Sequence, residues 1–189
     1  MPNLPISQLP ELTAITSNAE FAVAQDGVTY RVKAAYASSG NLHGAFHSEV
    51  TQYSLSADTA FVMSAETTDY SYGVSIDSSG IITVSSGGTY NLQFSSVFQK
   101  LQGGSIEFIS VWPKVNNVNV PWSNTDISMA NNNELIVASW NFLLELNAGD
   151  TITLMWSSTS NQMEMLAIPT QTSPDRPGTP SVIITVTQI

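Results

Sequence analysis

His43 and His47 stand four residues apart, the spacing that sets two metal ligands on one face of a helix. Gly44 between them and the alternating pattern that follows argue instead for extended chain, in which the two rings sit about 13 Å apart, too far to share a zinc ion. Both are read as structural. With no cysteine, two histidines and no Gly-x-Ser-x-Gly string, a nucleophilic triad has almost no raw material. A pair of carboxylates needs only a suitable gap to hydrolyse a glycoside, and Asp126 and Glu134 sit in or beside a long polar stretch, but nothing in their spacing separates them from solvated loop acids. Asp69, Asp77 and Asp126 are conceivable calcium ligands without the Asp-x-Asp-x-Asp-Gly run that would support them. Gly87-Gly88 and Gly103-Gly104 fit neither a phosphate-binding Gly-Lys loop nor a dinucleotide fingerprint and read as turns. The expectation is a protein that is not an enzyme, with no cofactor and no bound metal.

The more promising side chains are aromatic. Trp122 follows Pro121 at the start of a polar loop, Tyr70 and Tyr72 lie near a turn, and Arg176 sits in the Pro-rich stretch PTQTSPDRPGTP. Such groups can stack on a sugar or anchor a protein contact, although a loop tryptophan also commonly folds back onto its own domain.

Charge narrows the partners. Five Lys and Arg against fifteen Asp and Glu give a net charge of -10, which repels nucleic acid and anionic membranes. Apolar residues make up 42% and charged residues 11%, a balance that builds a core and supplies polar faces without charge. The absence of cysteine removes disulfides and thiolate metal sites, so the chain can fold in a reducing cytosol as well as outside a cell. No stretch reaches the length of a membrane span, and MPNLPISQLPEL lacks the features of an export signal.

The elements that must position these groups read as strands. In Leu135 to Trp156, Trp140, Phe142, Leu144 and Leu146 share one parity and Asn141, Glu145 and Asn147 the other, with Leu143 breaking the polar face. Asn147-Ala148-Gly149-Asp150 is turn chemistry, after which Ile152, Leu154 and Trp156 resume the two-residue period. Thr89 to Gln99 alternates in the same way, with Val97 as its apolar exception. Further strands are expected at 45–55, 60–64, 72–76 and 81–84. Ile106 to Val111 is apolar on both parities and is expected to be covered on both sides. Asn116-Asn117 turns the chain to Val118 and Val120, 121–133 reads as a long polar loop, and 162–168 and 181–188 close the domain. Short strands at regular spacing with turns between them describe an all-β, antiparallel sandwich over 41–189. Residues 1–40 form a separate module, and Ala37 to Gly44 reads as the linker. In the module, Pro2, Pro5 and Pro10 disfavour helix, Leu4, Leu9 and Leu12 are spaced apolar groups, and 20–33 is a hairpin with Val28 and Tyr30 after the turn. Two strands alone are marginal in water, so the module should pack on something else.

Two resemblances follow from these strings. GGTYNLQF at 87–94, VWPKVNNVNV at 111–120 and LLELNAGDTITLMW at 143–156 occur in an order that resembles the jelly roll of the complement-head and tumour-necrosis-factor-like superfamily, with Asn117 in place of the turn glycine. LPISQLPELTAITSNAEFAVAQDGVTYRVKAA is similar to the N-terminal attachment segment of many bacteriophage virion proteins. The first resemblance implies a homotrimer, with Val97 and Leu143 on the faces that meet at the threefold axis. The second implies a virion protein, a fibre or a decoration, assembled in the host cytoplasm and held to the major capsid protein or another virion component through Leu4, Leu9, Leu12, Val28 and Tyr30. The small size and the lack of a long shaft favour a capsid decoration or head fibre over a tail fibre. The rival reading is a receptor-binding module in which Trp122, Tyr70, Tyr72 or Arg176 contacts a host glycan.

Overall fold

The computed structural model describes residues 20–33 and 41–189. The chain divides into two units, Met1–Gly40 and Asn41–Ile189. In the first, β1 (Glu20–Gln25) and β2 (Val28–Lys33) form the expected hairpin, with Phe21 opposite Val32 and Val23 opposite Tyr30. Asp26 and Gly27 both take positive φ, 51° and 76°, the requirement of the tight turn that matches strand twist. Leu4, Leu9 and Leu12 lie outside the described residues.

The second unit is a two-sheet jelly roll. One sheet runs β11 (Val118–Asn119), β10 (Glu107–Val115), β14 (Thr151–Ser158), β8 (Ile82–Val84) and β7 (Val74–Ile76). In it β12 (Thr125–Met129) also pairs with β10, and β5 (Phe61–Val62) with β14. The other runs β4 (Gln52–Tyr53), β15 (Met163–Met165), β9 (Gly88–Lys100), β18 (Val182–Gln188), β3 (His43–Ser48) and β6 (Thr67–Tyr72), with β13 (Leu135–Leu146) on the free side of β9. A two-residue hairpin, β16 (Gln171–Thr172) and β17 (Asp175–Arg176), forms within the Pro-rich stretch.

Alternation explains how the sheets close on one another. From β9 the even residues Tyr90, Leu92, Phe94 and Phe98 point inward and are buried, and β13, β14 and β18 contribute Leu144, Leu146, Ile152, Leu154, Trp156, Ile184 and Val186 to the same core. Phe94 meets Trp140 edge to face at 4.6 Å between ring centroids, and Trp156 stands between Phe61 and Phe98 at 5.9 and 5.7 Å. Burying each such ring withdraws a large apolar area from water, so a Phe94→Ala change costs about 3–5 kcal/mol.

Polar groups settle the ends of the strands. Asn116 and Asn117 take φ of 50° and 63°, giving the hairpin turn without a glycine. Asp150 then ties this turn to the next. Its Oδ1 accepts from Asn116 Nδ2 at 2.9 Å, its Oδ2 accepts from the Asn147 N–H at 2.7 Å, and the Thr151 N–H donates back to Asn116 Oδ1 at 2.9 Å. Lys100, at the inward end of β9, is fully buried and donates through Nζ to the carbonyls of Ser105, Ala130 and Met129. That one ammonium joins the loop after β9 to the loop after β12.

Several expectations are corrected. The linker ends earlier than expected, because β3 begins at His43 and Gly44 pairs with Val186. The polar loop 121–133 contains β12, whose Met129 is fully buried and whose Ile127 packs on the core. The strand placed at 72–76 is two strands, β6 and β7, broken at Gly73 with φ of 67°. The strand expected to be covered on both sides has an open outer face, where Ile106 and Phe108 are exposed and Trp112 is half-buried.

Gly44 offers a direct check, since a Cβ there would lie 2.5 Å from the Phe46 ring, itself 0% exposed and unable to yield cheaply. Gly44→Ala is expected to destabilise the domain by about 1–3 kcal/mol in urea unfolding, whereas a linker glycine would tolerate the change. Acid should also weaken the fold. Hydrogen bonds from Asn116 and the Asn147 N–H hold the Asp150 carboxyl below its usual range, and those from Thr159 and Ser105 do the same for Glu107. Groups lowered in this way add stability above the ordinary carboxylate range and lose it as pH falls through their folded values. Asp150→Asn should therefore flatten the acid limb of a melting-temperature profile and lower the neutral plateau.

Candidate functional site

The groups first considered for chemistry are dispersed into structural roles. His47 Nδ1 lies 3.0 Å from Asp69 and its Nε2 3.6 Å from Glu49, while His43 donates from Nδ1 to the Asn41 carbonyl, 2.9 Å away, and its ring lies near those of Tyr70 and Tyr72 at 5.7 and 6.2 Å. Asp77 receives the N–H groups of Ser79 and Ile81, both at 2.9 Å, and so fixes a turn. Glu134 receives those of Ala130 and Asn131 at 2.8 and 2.9 Å, which holds its carboxyl below the usual range. Asp126 is bound on Oδ1 by Ser110 and Asn124. Among the described residues no cluster of three or more His, Cys, Asp or Glu groups is arranged to hold a metal ion.

Two surfaces stand out. The first is the outer face of β9 and β13. Odd residues point outward on both strands, and the antiparallel register sets Leu135 beside Gln99, Val137 beside Val97, Ser139 beside Ser95, Asn141 beside Gln93, Leu143 beside Asn91 and Glu145 beside Thr89. Glu145 is the sole charged side chain in these pairs. Leu135, Val137 and Leu143 are 53%, 66% and 64% exposed, and Ile183 of β18 continues the face at 42%. Val97 and Leu143 therefore share one face but stand six rungs apart, roughly 20 Å along the strand. The sequence reading overlooked Leu135 and Val137, although both have the parity of Leu143. Tyr70 and Tyr72 project from β6 at the far edge of this same sheet.

The second surface lies on the outer side of the β10 sheet. Trp112 points outward from β10, half-buried, with its Nε1 donating to Asn119 Oδ1 at 2.9 Å. Trp122 follows Pro121 in a turn and is fully exposed. Its φ is 60°, so Pro121 and Trp122 carry the sign pattern of a type II turn, whose second central position is the natural place for glycine. A non-glycine residue held there costs about 1–3 kcal/mol. Both tryptophans line a shallow groove with Asn119, Asn124, Ser110 and Ser157. Of the four aromatic or basic contacts expected from sequence, Trp122 is in this groove, Tyr70 and Tyr72 are on the other sheet, and Arg176 is exposed on β17. Trp112 was missed because its partner Trp122 comes close only through the β10 to β12 connection.

No family model matches the sequence, and no curated protein matches it. The fold does match solved structures. It superposes on murine APRIL in crystal structures at pH 8.0 and pH 5.0 with a TM-score of 0.50, at 12% and 10% identity, over 79% of this chain and 100% of that one. It superposes equally, TM-score 0.50 at 12% identity, on the Eiger TNF of S. frugiperda, over 79% of this chain and 92% of the other. The domain is an all-β jelly roll of the tumour-necrosis-factor-like kind, as the strings at 87–94, 111–120 and 143–156 implied. At these identities the likeness is one of fold.

Beside the β9 and β13 face lies an acid with the opposite behaviour to Asp150. Glu164 faces outward from β15 between Tyr53 and Gln99 yet is 5% exposed, and its burial raises the carboxyl above its ordinary range. A raised acid favours the fold while protonated and withdraws that support as pH rises through its folded value. Glu164→Gln should thus melt higher than the parent near pH 7, with the gain shrinking toward about pH 4; an equal gain at both would refute the assignment.

Proposed function

We propose that this protein is a homotrimeric structural module in which three jelly rolls meet through the outer faces of β9 and β13. The observation that carries the reading is the near absence of charge on that face in a chain of net charge -10, together with the exposure of Leu135, Val137 and Leu143. Interface cores are depleted in charged groups, and withdrawing each of these side chains from water contributes about 1–2 kcal/mol. The jelly-roll likeness supports the same arrangement. No catalytic role is assigned.

The finer reading is a bacteriophage virion protein, a capsid decoration or head fibre. It is supported by the likeness of the leader string and by the hairpin, on which Val23, Val28 and Tyr30 are 44%, 50% and 52% exposed. Three such modules on one trimer would engage a major capsid protein or other virion component together. The second and third contacts are then intramolecular, and modest affinity per arm becomes firm attachment.

Sedimentation of the full chain is expected to give a trimer. Val137→Lys combined with Leu143→Lys should yield a folded monomer, because a charge buried without a partner costs several kcal/mol; a wild-type monomer would overturn the reading. Val28→Asp combined with Tyr30→Ala should leave the trimer intact and abolish co-sedimentation with phage particles depleted of this protein. A trimer that never binds particles would refute the virion role alone.

A further inference from the structure

The groove on the outer side of the β10 sheet has a volume of about 500 Å³. The β12, β10 and β14 strands bring Asp126, Ser110 and Ser157 into one row, since Ser110 is paired with both of the others. Ser110 and Ser157 line the groove, and Asp126 stands beside it, bonded to the lining residues Ser110 and Asn124. Trp112 stands two residues along β10, and Trp122 and Asn124 close the groove from the loop before β12. We propose that this groove binds a neutral saccharide, with the two indoles as stacking platforms and the row of amide, hydroxyl and carboxylate groups reading the hydroxyls.

Trp122 supplies the first argument. Its ring is fully exposed and so adds nothing to the core, and its backbone occupies a conformation that glycine would adopt without strain. A turn that served only to reverse the chain would gain from losing this side chain. Backbone strain of this kind clusters at ligand clamps and contact sites. Trp112 supplies the second. The bond from its Nε1 to Asn119 fixes the ring in place, so its face is presented without further ordering on binding. An indole face attracts the C–H groups on one side of a sugar ring, while the hydroxyls at the rim remain free to hydrogen-bond.

The polar groups set the ligand class. Ser110 Oγ and Asn124 Nδ2 both donate to Oδ1 of Asp126, at 2.6 and 2.7 Å, which leaves Oδ2 without a protein partner among the described residues and able to accept from a ligand hydroxyl. Asn119, Asn124, Ser110 and Ser157 add amide and hydroxyl groups, which both donate and accept, to the groove lining. A proline-rich peptide, the other common guest of paired tryptophans, offers mainly carbonyl acceptors and would leave Asp126 unused. An anionic sugar would meet the Asp126 carboxylate and the field of a chain of net charge -10. The groove is on the sheet not used by the trimer face, so the inference does not rest on that reading.

The test is calorimetric titration of the full-length protein with cellohexaose, maltohexaose and chitohexaose, with polygalacturonate and a proline-rich peptide as counter-probes. At least one neutral oligosaccharide is expected to bind saturably. Trp122→Gly should weaken it by more than about tenfold while melting at or above the parent temperature, and Asp126→Asn should weaken it in a protein that still folds. Tyr70→Ala on the other sheet should bind as the parent does. Failure of all three neutral sugars at millimolar concentration, binding that ignores Trp122→Gly, or binding confined to polygalacturonate or the peptide would overturn the proposal.

Discussion

The structure depends on the pairing of β9 along both of its edges. β13 follows it for twelve consecutive rungs on one side, and β18 and then β15 follow it on the other. Because successive side chains alternate, this double pairing commits Tyr90, Leu92, Phe94 and Phe98 to the interior and Asn91, Gln93, Ser95, Val97 and Gln99 to the exterior at a stroke. A slip of one residue on either edge would turn four aromatic or aliphatic groups into water. Even the polar inward positions are provided for, since Ser96 donates to the Ser181 carbonyl at 2.8 Å and Lys100 to three carbonyls.

That same rigidity explains what sequence reveals. Long strands with one buried face carry their period openly, so β9, β13 and β14 and the turns at Asn116-Asn117 and Asn147–Asp150 are readable from residue type and spacing. β6 is not, because TTDYSY is an edge strand whose side chains are almost all exposed and which therefore has no apolar parity. β12 is not, because TDISM buries only Met129 and Ile127 and reads as part of the polar stretch around it. Lys100 breaks the ordinary rule that a lysine lies outside, and its reason, three carbonyls gathered from two loops, is a property of tertiary structure.

Sites show the same division. Val97 and Leu143 announced themselves as apolar residues on polar faces, whereas Val137 became visible as part of that face only through its rung beside Val97. Trp122 was conspicuous by position, but the polar row beside it is assembled by pairing Ser110 with Asp126, 16 positions on, and with Ser157, 47 positions on, and leaves no local signature. The two surfaces fall on opposite sheets, so the proposed contact with other copies and the proposed contact with a saccharide need not compete.

The burial of Lys100 has an electrostatic consequence. With that ammonium sealed inside, Lys114 and Arg176 are the basic groups left to the solvent side of the jelly roll, set against its many carboxylates. Away from the nearly uncharged outer face of β9 and β13, the domain meets its surroundings as an anion, and the reach of that charge is set by the counterion atmosphere, which contracts to about 8 Å at physiological ionic strength.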